Sequence, residues 1–200
     1  MQRRTLVALS VALAAGSLSA PALAQADYPN RPITLIVPYG AGGVSDVVAR
    51  ALALSMGKQL GQSIIIENKP GAGASMGVMD MKNAKPDGYR LTLSPVGIFR
   101  QPHIQKVAYD PIADLSYVAV FMSYDFLLAV PQDSPFKSLK DIIEHSTTQP
   151  GSVDYGTPGK FSANHVLMAL LEKRAGVQFT HVPYKGDAEA VTALIAGHTK

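Results

Sequence analysis

The chain has 200 residues, 47% of them apolar, with 18 Lys and Arg against 15 Asp and Glu and with neither cysteine nor tryptophan. That size and apolar content suit one large domain or two small ones and exclude a disordered tail; the lack of cysteine excludes disulfides, thiolate chemistry and zinc–thiolate sites together. Setting aside Arg3 and Arg4 leaves 16 basic against 15 acidic residues, which gives no general electrostatic reason to hold nucleic acid or an anionic membrane.

Residues 1–24 have the three parts of a signal peptide: the Arg3-Arg4 pair, an apolar run from Leu6 to Leu18, and small residues at Ala22 and Ala24. The run is shorter than the roughly 20 residues a permanent span needs. A periplasmic protein starting near Gln25 is therefore expected, with the export route left open.

Ile33–Val37 reads as a buried strand and Pro38–Gly43 as a glycine-rich loop. Val44–Leu60 reads as a helix with Val47, Val48, Ala51, Leu52 and Leu60 on its apolar stripe, ended by Gly61. Ser63–Glu67 is a second strand, Asn68–Gly73 a loop, Ser75–Asn83 a short helix and Tyr89–Ser94 a third strand. Gly97–Ser116 carries Pro102 and Pro111 and reads as a loose segment. Tyr117–Val130 is apolar and long enough for two strands, or for one crossing between domains. A helix follows over Ser138–Glu144, with Leu139, Ile142 and Ile143 facing inward. Then come a strand at Val153–Tyr155, a loop at Gly156–Gly159 and a helix at Ser162–Ala175 stopped by Gly176. Phe179–Val182 is a strand, Pro183–Gly186 a turn and Ala188–Ala196 a helix. The β-α-β-α-β order predicts an α/β fold with a parallel sheet buried on both faces. A helix followed by Gly197 calls for a further strand where the sequence stops, so a fragment or a truncated gene is expected.

Three glycine-rich loops follow strands and precede helices: Tyr39-Gly40-Ala41-Gly42-Gly43, Pro70-Gly71-Ala72-Gly73 and Gly156-Thr157-Pro158-Gly159. Glycine lets backbone approach a ligand, and a helix N-terminus offers unpaired N–H groups. Together they hold a carboxylate or phosphate without a formal cation. One such loop is commonly a tight connection only; three, on two halves of the chain, point to a cleft at the carboxyl ends of the strands. Asp46 either favours its helix N-terminus and pairs with Arg50 at i+4, or meets an amine or hydroxyl of a ligand. Gly73-Ala-Ser-Met-Gly77 fits the G-x-S-x-G elbow of hydrolases, but too little sheet precedes it and no oxyanion segment accompanies it. Ser75 reads as a helix cap or a ligand contact. The five histidines show no metal-ligand spacing; His165, near a helix start, is a pocket candidate or a core-edge residue.

The segments Tyr28-Pro-Asn-Arg-Pro-Ile-Thr-Leu-Ile-Val-Pro38, Ala41-Gly-Gly-Val-Ser-Asp-Val-Val-Ala-Arg50, Glu67-Asn-Lys-Pro-Gly-Ala-Gly73, Pro86-Asp-Gly-Tyr89 and Val182-Pro-Tyr-Lys-Gly186 carry a signature. In this order they resemble the substrate-binding receptors of tripartite tricarboxylate transporters, the Bug receptors. The resemblance implies a two-lobed Venus-flytrap fold, with a first lobe over 25–123 and a second over 124–200. It implies a non-catalytic, monomeric receptor that captures a small carboxylate (a di- or tricarboxylate, an aromatic acid or an amino acid) for membrane transporter subunits. No cofactor, metal or nucleic acid enters. Ligand contacts would come from Tyr39, Gly40, Ala41, Gly42, Gly43 and Asp46, and from Ala72, Gly73, Ala74 and Ser75. The second lobe would add Thr157, Ser162, His165, Tyr184 and Gly186, with bridging waters. The chain departs from the family at Ala74, where a glycine is common, and similar receptors continue for roughly another hundred residues. The rival readings are a secreted serine hydrolase using Ser75 and a ligand sensor for a membrane kinase.

Overall fold

The computed structural model describes residues 28–199, so the signal peptide expected at 1–24 and the start near Gln25 lie outside the described residues. Strand β1 (Ile33–Val37) is apolar and β-branched, and Ile33, Leu35, Ile36 and Val37 are buried. Each such side chain removed from water contributes about 1.5–3 kcal/mol. Strand β1 pairs in parallel with β2 (Ile64–Asn68) on one side and β3 (Arg90–Thr92) on the other, giving the order β2-β1-β3. A second parallel pair joins β4 (Asp154–Thr157) to β5 (Thr180–Pro183). The two sheets stand in the two halves of an α/β chain, as the expected two-lobed fold requires. Residues 31–199 belong to one compact unit.

Helix α1 (Val44–Leu60) occupies the predicted span and ends on Gly61, whose φ of 65° is left-handed. Its buried face is not the predicted stripe. Val47 is 57% exposed, Ala51 and Leu60 are exposed too, and Ser45, Asp46, Ala49 and Ala53 face inward. Ala49 packs with Leu35 and Val37; small residues bring the helix close to the sheet. Helix α2 (Met76–Lys82) follows a 3-10 turn at Ala72–Ala74. The segment after β3 is less loose than expected, since α3 (Gly97–Arg100) and a 3-10 turn at Gln101–His103 cluster Ile98 with Val78 and Tyr109.

Helix α4 (Leu139–Thr148) starts with a capping box between Ser138 and Asp141, worth about 1 kcal/mol. Ile142 is buried and Ile143 packs against the same cluster, whereas Leu139 is 46% exposed. Helix α5 (Ala163–Ala175) is capped by Ser162, whose hydroxyl accepts from the His165 N–H, and α6 (Asp187–Ile195) follows β5. Val153, Tyr155, Val177 and Phe179 complete that core.

The strands predicted within Tyr117–Val130 are absent. Residues 117–130 carry no regular structure, and Val118, Val120 and Leu127 are 85%, 95% and 89% exposed. Apolar β-branched residues make a strand only when a neighbour accepts their backbone bonds, and β3 pairs with β1 alone. Among the described residues no helix is long and apolar enough to cross a membrane.

Candidate functional site

The carboxyl ends of the strands carry the loops that meet between the two sheets. Pro38 leads from β1 into the first; Gly71, Ala72, Gly73 and Ala74 form the second after β2. Opposite them stand Pro158, Gly159, Lys160 and Phe161 after β4, and Pro183, Tyr184 and Lys185 at the end of β5. These residues, with Gln105, line a cleft of about 370 Å³.

Backbone meets backbone across this cleft. The Gly40 N–H donates to the Lys185 carbonyl at 3.1 Å. A side chain on Gly186 would stand 3.1 Å from the Gly40 nitrogen, and one on Gly43 would stand 3.7 Å from the Asp187 nitrogen. A side chain on Gly73 would stand 2.6 Å from the Lys160 carbonyl. The glycines in both halves therefore serve close approach of the facing loops.

The first loop is braced by charge. Asp46 is 3% exposed; its Oδ2 accepts from the Gly42 N–H and from Arg50 Nε, both at 2.9 Å, and its Oδ1 accepts from Asn68 Nδ2 at 2.9 Å. Burial pushes the Asp46 carboxyl pKa up, but the bonds from Arg50, Gly42 and Asn68 together outweigh it and hold the group below its ordinary 3.8. Of the two readings of Asp46, the structure builds the bracing one. The Gly40 and Gly42 N–H groups, candidate carboxylate donors, are likewise already bonded, to Lys185 and Asp46. Ala41, Gly43 and the first turn of α1 carry the remaining donors of this loop, because a helix start has no internal partners for them.

The second loop is braced by an amide. Ala72, Gly73 and Ala74 are all left-handed, with φ of 48°, 62° and 70°. Gln101 is fully buried, and its Nε2 donates to the Gly73 carbonyl at 2.7 Å and to the Ala72 carbonyl at 3.2 Å. Its Oε1 accepts from the Tyr109 hydroxyl at 3.2 Å. Nothing local marks Gln101 as a loop holder, since its partners lie 28 and 29 residues away. The Ser75 hydroxyl donates to the Ala72 carbonyl at 2.9 Å, and the residue is 3% exposed with helical dihedrals. That is a turn contact, without the general base that a serine nucleophile needs.

In the second lobe the predicted polar residues stand behind the loop that lines the cleft. Thr157 is 2% exposed; its hydroxyl lies 2.7 Å from His181 Nε2 and 3.1 Å from the Gly159 carbonyl. His165 Nδ1 accepts from the Phe161 N–H at 3.1 Å, and its ring stacks on His181 with centroids 4.1 Å apart. Burial lowers both imidazole pKa values, to about 4 at His181, with the neighbouring ring and Lys160 adding to the shift there. Two neutral rings thus support the 157–161 loop from behind. Tyr184 does line the cleft, its ring laid over Gly156. Tyr39 lies near Tyr124, Asp187 and Arg100; burial raises its phenol pKa, Tyr124 and Asp187 add to that, and Arg100 opposes it. Among the described residues no group of three or more His, Asp or Glu could hold a metal ion.

Residues 48–200 match the family described as tripartite tricarboxylate transporter family receptor. A UPF0065 protein from the gbd 5' region of Cupriavidus necator is 43% identical over 99% of this chain. The chain belongs to this receptor family. It spans 62%, 56% and 55% of the length of three such relatives. Two solved receptor-like structures superpose well. Rpa4515 from R. palustris with adipate has a TM-score of 0.81 at 30% identity, covering 86% of this chain and 58% of that one. MatC from Rhodopseudomonas palustris with bound malate has a TM-score of 0.75 at 30% identity, covering 86% and 59%. For a receptor of this family the cleft between the glycine loops is the ligand-site candidate.

Proposed function

We propose that the chain is a periplasmic solute-binding receptor that captures a small organic acid for a tripartite tricarboxylate transporter. The observation that carries this is the cleft itself, walled by glycine loops from both sheets and drawn together by the Gly40 to Lys185 bond. A ligand that fits between the loops stabilises the closed form by contacts to both sides. Ala41, Gly43, Ala72, Gly73, Ala74, Tyr184 and Gly186 form the contact set, with bridging waters where the distances are longer. Asp46, Ser75, Thr157, Ser162 and His165 hold those loops in place. The adipate and malate held by Rpa4515 and MatC support a carboxylate as ligand. Residues 1–24 serve as the export signal, 25–123 and 124–200 divide between the lobes, and the receptor acts as a monomer toward its membrane subunits.

A thermal-shift screen of the protein against carboxylic and amino acids tests this. A ligand bound to the native state alone adds RT ln(1 + [L]/Kd), about 2.7 kcal/mol at a hundredfold excess over Kd. A clear rise in Tm with one acid class is the expected result, and a flat panel on folded protein would sink the receptor reading.

A further inference from the structure

The 157–161 loop is held through a lone pair that acid removes. Phe161 is left-handed, with φ of 65°, a strained conformation for a bulky side chain. Its N–H donates to His165 Nδ1 at 3.1 Å. A backbone N–H can only donate, so that nitrogen is unprotonated and the neutral ring carries its proton on Nε2. His181 stacks on the same ring, with centroids 4.1 Å apart. Its Nε2 lies 2.7 Å from the Thr157 hydroxyl, whose own proton goes to the Gly159 carbonyl. The two imidazoles thus hold both ends of one loop, Thr157 and Phe161. This loop is also where the second lobe reaches the first. A side chain on Gly73 would stand 2.6 Å from the Lys160 carbonyl, and one on Gly97 3.5 Å from the Phe161 carbonyl. Pro158, Gly159, Lys160 and Phe161 line the cleft.

A proton on His165 Nδ1 sets one donor against another at Phe161, and the bond that retains the left-handed turn is lost. The surroundings of both rings resist that charge. At His165 burial opposes it, Lys160 from the loop adds to that, and Glu172 from α5 favours it. At His181 burial, His165 and Lys160 all oppose it, and the other groups facing this ring are Tyr155 and Thr157 of β4. A charged pair therefore requires the loop to move and admit water.

We propose that the His165–His181 pair is an acid-sensitive latch: neutral rings hold the 157–161 loop in its ligand-binding position, and protonation releases loop and ligand together. This rests on the receptor reading above and adds regulation of the same cleft. Only the held loop binds, so the apparent Kd is the intrinsic value divided by the held fraction. The released loop takes up protons that the held loop refuses, so the held fraction falls as pH drops below the ordinary imidazole value of 6.5. Simple electrostatics predicts the opposite sign: an anion in the cleft would favour charged rings and bind more tightly in acid.

The test titrates the purified full chain calorimetrically with malate, with adipate and with the acid that gives the largest thermal shift. Wild type is compared with His165→Asn, whose Oδ1 replaces Nδ1 as an acceptor that does not titrate. Protonation of the acid itself is common to both proteins and cancels in their ratio. The two should bind within about threefold of each other at about pH 7.5, and by about pH 4.5 wild type should have lost about tenfold or more against the variant. Wild type should also release more protons on binding in acid than the variant does, read from heats in buffers of different ionisation enthalpy. A second readout needs no variant: in wild type followed by NMR, the Phe161 amide should lose protection from exchange in step with the titration of the His165 ring. Three results overturn the latch: parallel pH profiles in wild type and a folded variant, wild-type binding that tightens in acid relative to the variant, or a Phe161 amide that stays protected while His165 titrates. In all three carboxylate binding survives in the wild type and the receptor reading stands. A wild type that binds no carboxylate would remove the receptor reading and the latch together.

Discussion

The two lobes hold their cleft loops by different means. Around the first sheet the Gln101 amide is joined by charged braces: Asp46 with Arg50 and Asn68, and Asp80 with Arg90 and Lys69, where Arg90 and Lys69 also reach Glu67. Behind the loop of the second sheet the braces are neutral rings, with His165 on His181, His181 against Tyr155 at 5.0 Å and Tyr155 against Phe179 at 6.3 Å. Both place a glycine loop at the end of a parallel strand. The first needs its carboxylates ionised, and the second needs its imidazoles uncharged. Glycine spacing alone therefore says where a loop can come close, and the surrounding side chains decide under which conditions it stays there.

The strongest way to break this comparison is at the point where the two loops meet. A methyl group at Gly73 would stand 2.6 Å from the Lys160 carbonyl and 2.7 Å from Gln101 Nε2, at a φ that side chains rarely adopt. Backbone cannot yield cheaply, so Gly73→Ala should push the facing loops apart. Affinity for whichever acid the screen finds should fall by about a hundredfold or more, with about 1–3 kcal/mol lost in stability. Calorimetry together with thermal melts would measure both. Binding within a few fold of wild type would show that the loops separate without consequence for the ligand.

Acid separates the lobes next. His181 has a folded pKa near 4 against an ordinary 6.5, because burial disfavours its charge. The unfolded chain then takes up protons that the native chain refuses, so stability falls as pH drops from about 6.5 toward 4. Burial pushes Asp46 and Asp80 up, but both lie below their ordinary 3.8, since bonds from Arg50, Gly42 and Asn68 at Asp46, and from Arg90 and Lys69 at Asp80, outweigh it. Their contribution is complete above that value and disappears as pH falls through the lower folded pKa. Tm should therefore fall in two stages, and replacing both His165 and His181 by Phe should remove the upper one alone. Asp46→Asn acts on the lower stage: it should cost about 1–3 kcal/mol at neutral pH, and the difference from wild type should shrink as pH falls through the lowered folded pKa of Asp46. A single acid transition unaffected by the histidine changes would mean that the ring stack contributes little to holding the second loop.

What the sequence disclosed follows the range of the interactions. Strands β1 and β2, the glycine loops and the Asp46–Arg50 pair are set within a few residues, and a periodicity or an i+4 spacing reveals them, whereas the cap expected at Ser75 is made instead at Ser162. Gln101 and the His165–His181 stack were invisible, because each acquires its role from residues distant in the chain. Tyr124, whose hydroxyl lies 2.8 Å from Ser45 across 79 positions, is the extreme case. The buried face of α1 was misread for a different reason: hydrophobicity favoured Val47 and Leu60, while close packing on the sheet selected Ala49 and Ala53. Residues 117–130 failed as strands because pairing is non-local, and apolar β-branched composition cannot supply a partner.

The smallest expected effect sharpens the account of the second loop. Ala74 holds a φ of 70° and is 4% exposed, whereas Ala72 holds a φ of 48° and is exposed. A left-handed alanine costs roughly 1–2 kcal/mol in the folded state. Glycine removes that strain but gives the unfolded chain about 0.4–1 kcal/mol of extra freedom. Ala72→Gly should therefore gain up to about 1 kcal/mol, visible as a Tm rise of about 2–4 °C. Ala74→Gly should gain less, because it also removes a buried methyl group from contact. With Gln101 bonded to both the Ala72 and Gly73 carbonyls, neither change should alter ligand affinity by more than about threefold. If Ala74→Gly instead lowers Tm while Ala72→Gly raises it, packing of that methyl holds the strained turn in place. If both lower affinity tenfold, the loop depends on the stiffness of its alanines, and the Gln101 brace is the weaker of the two restraints.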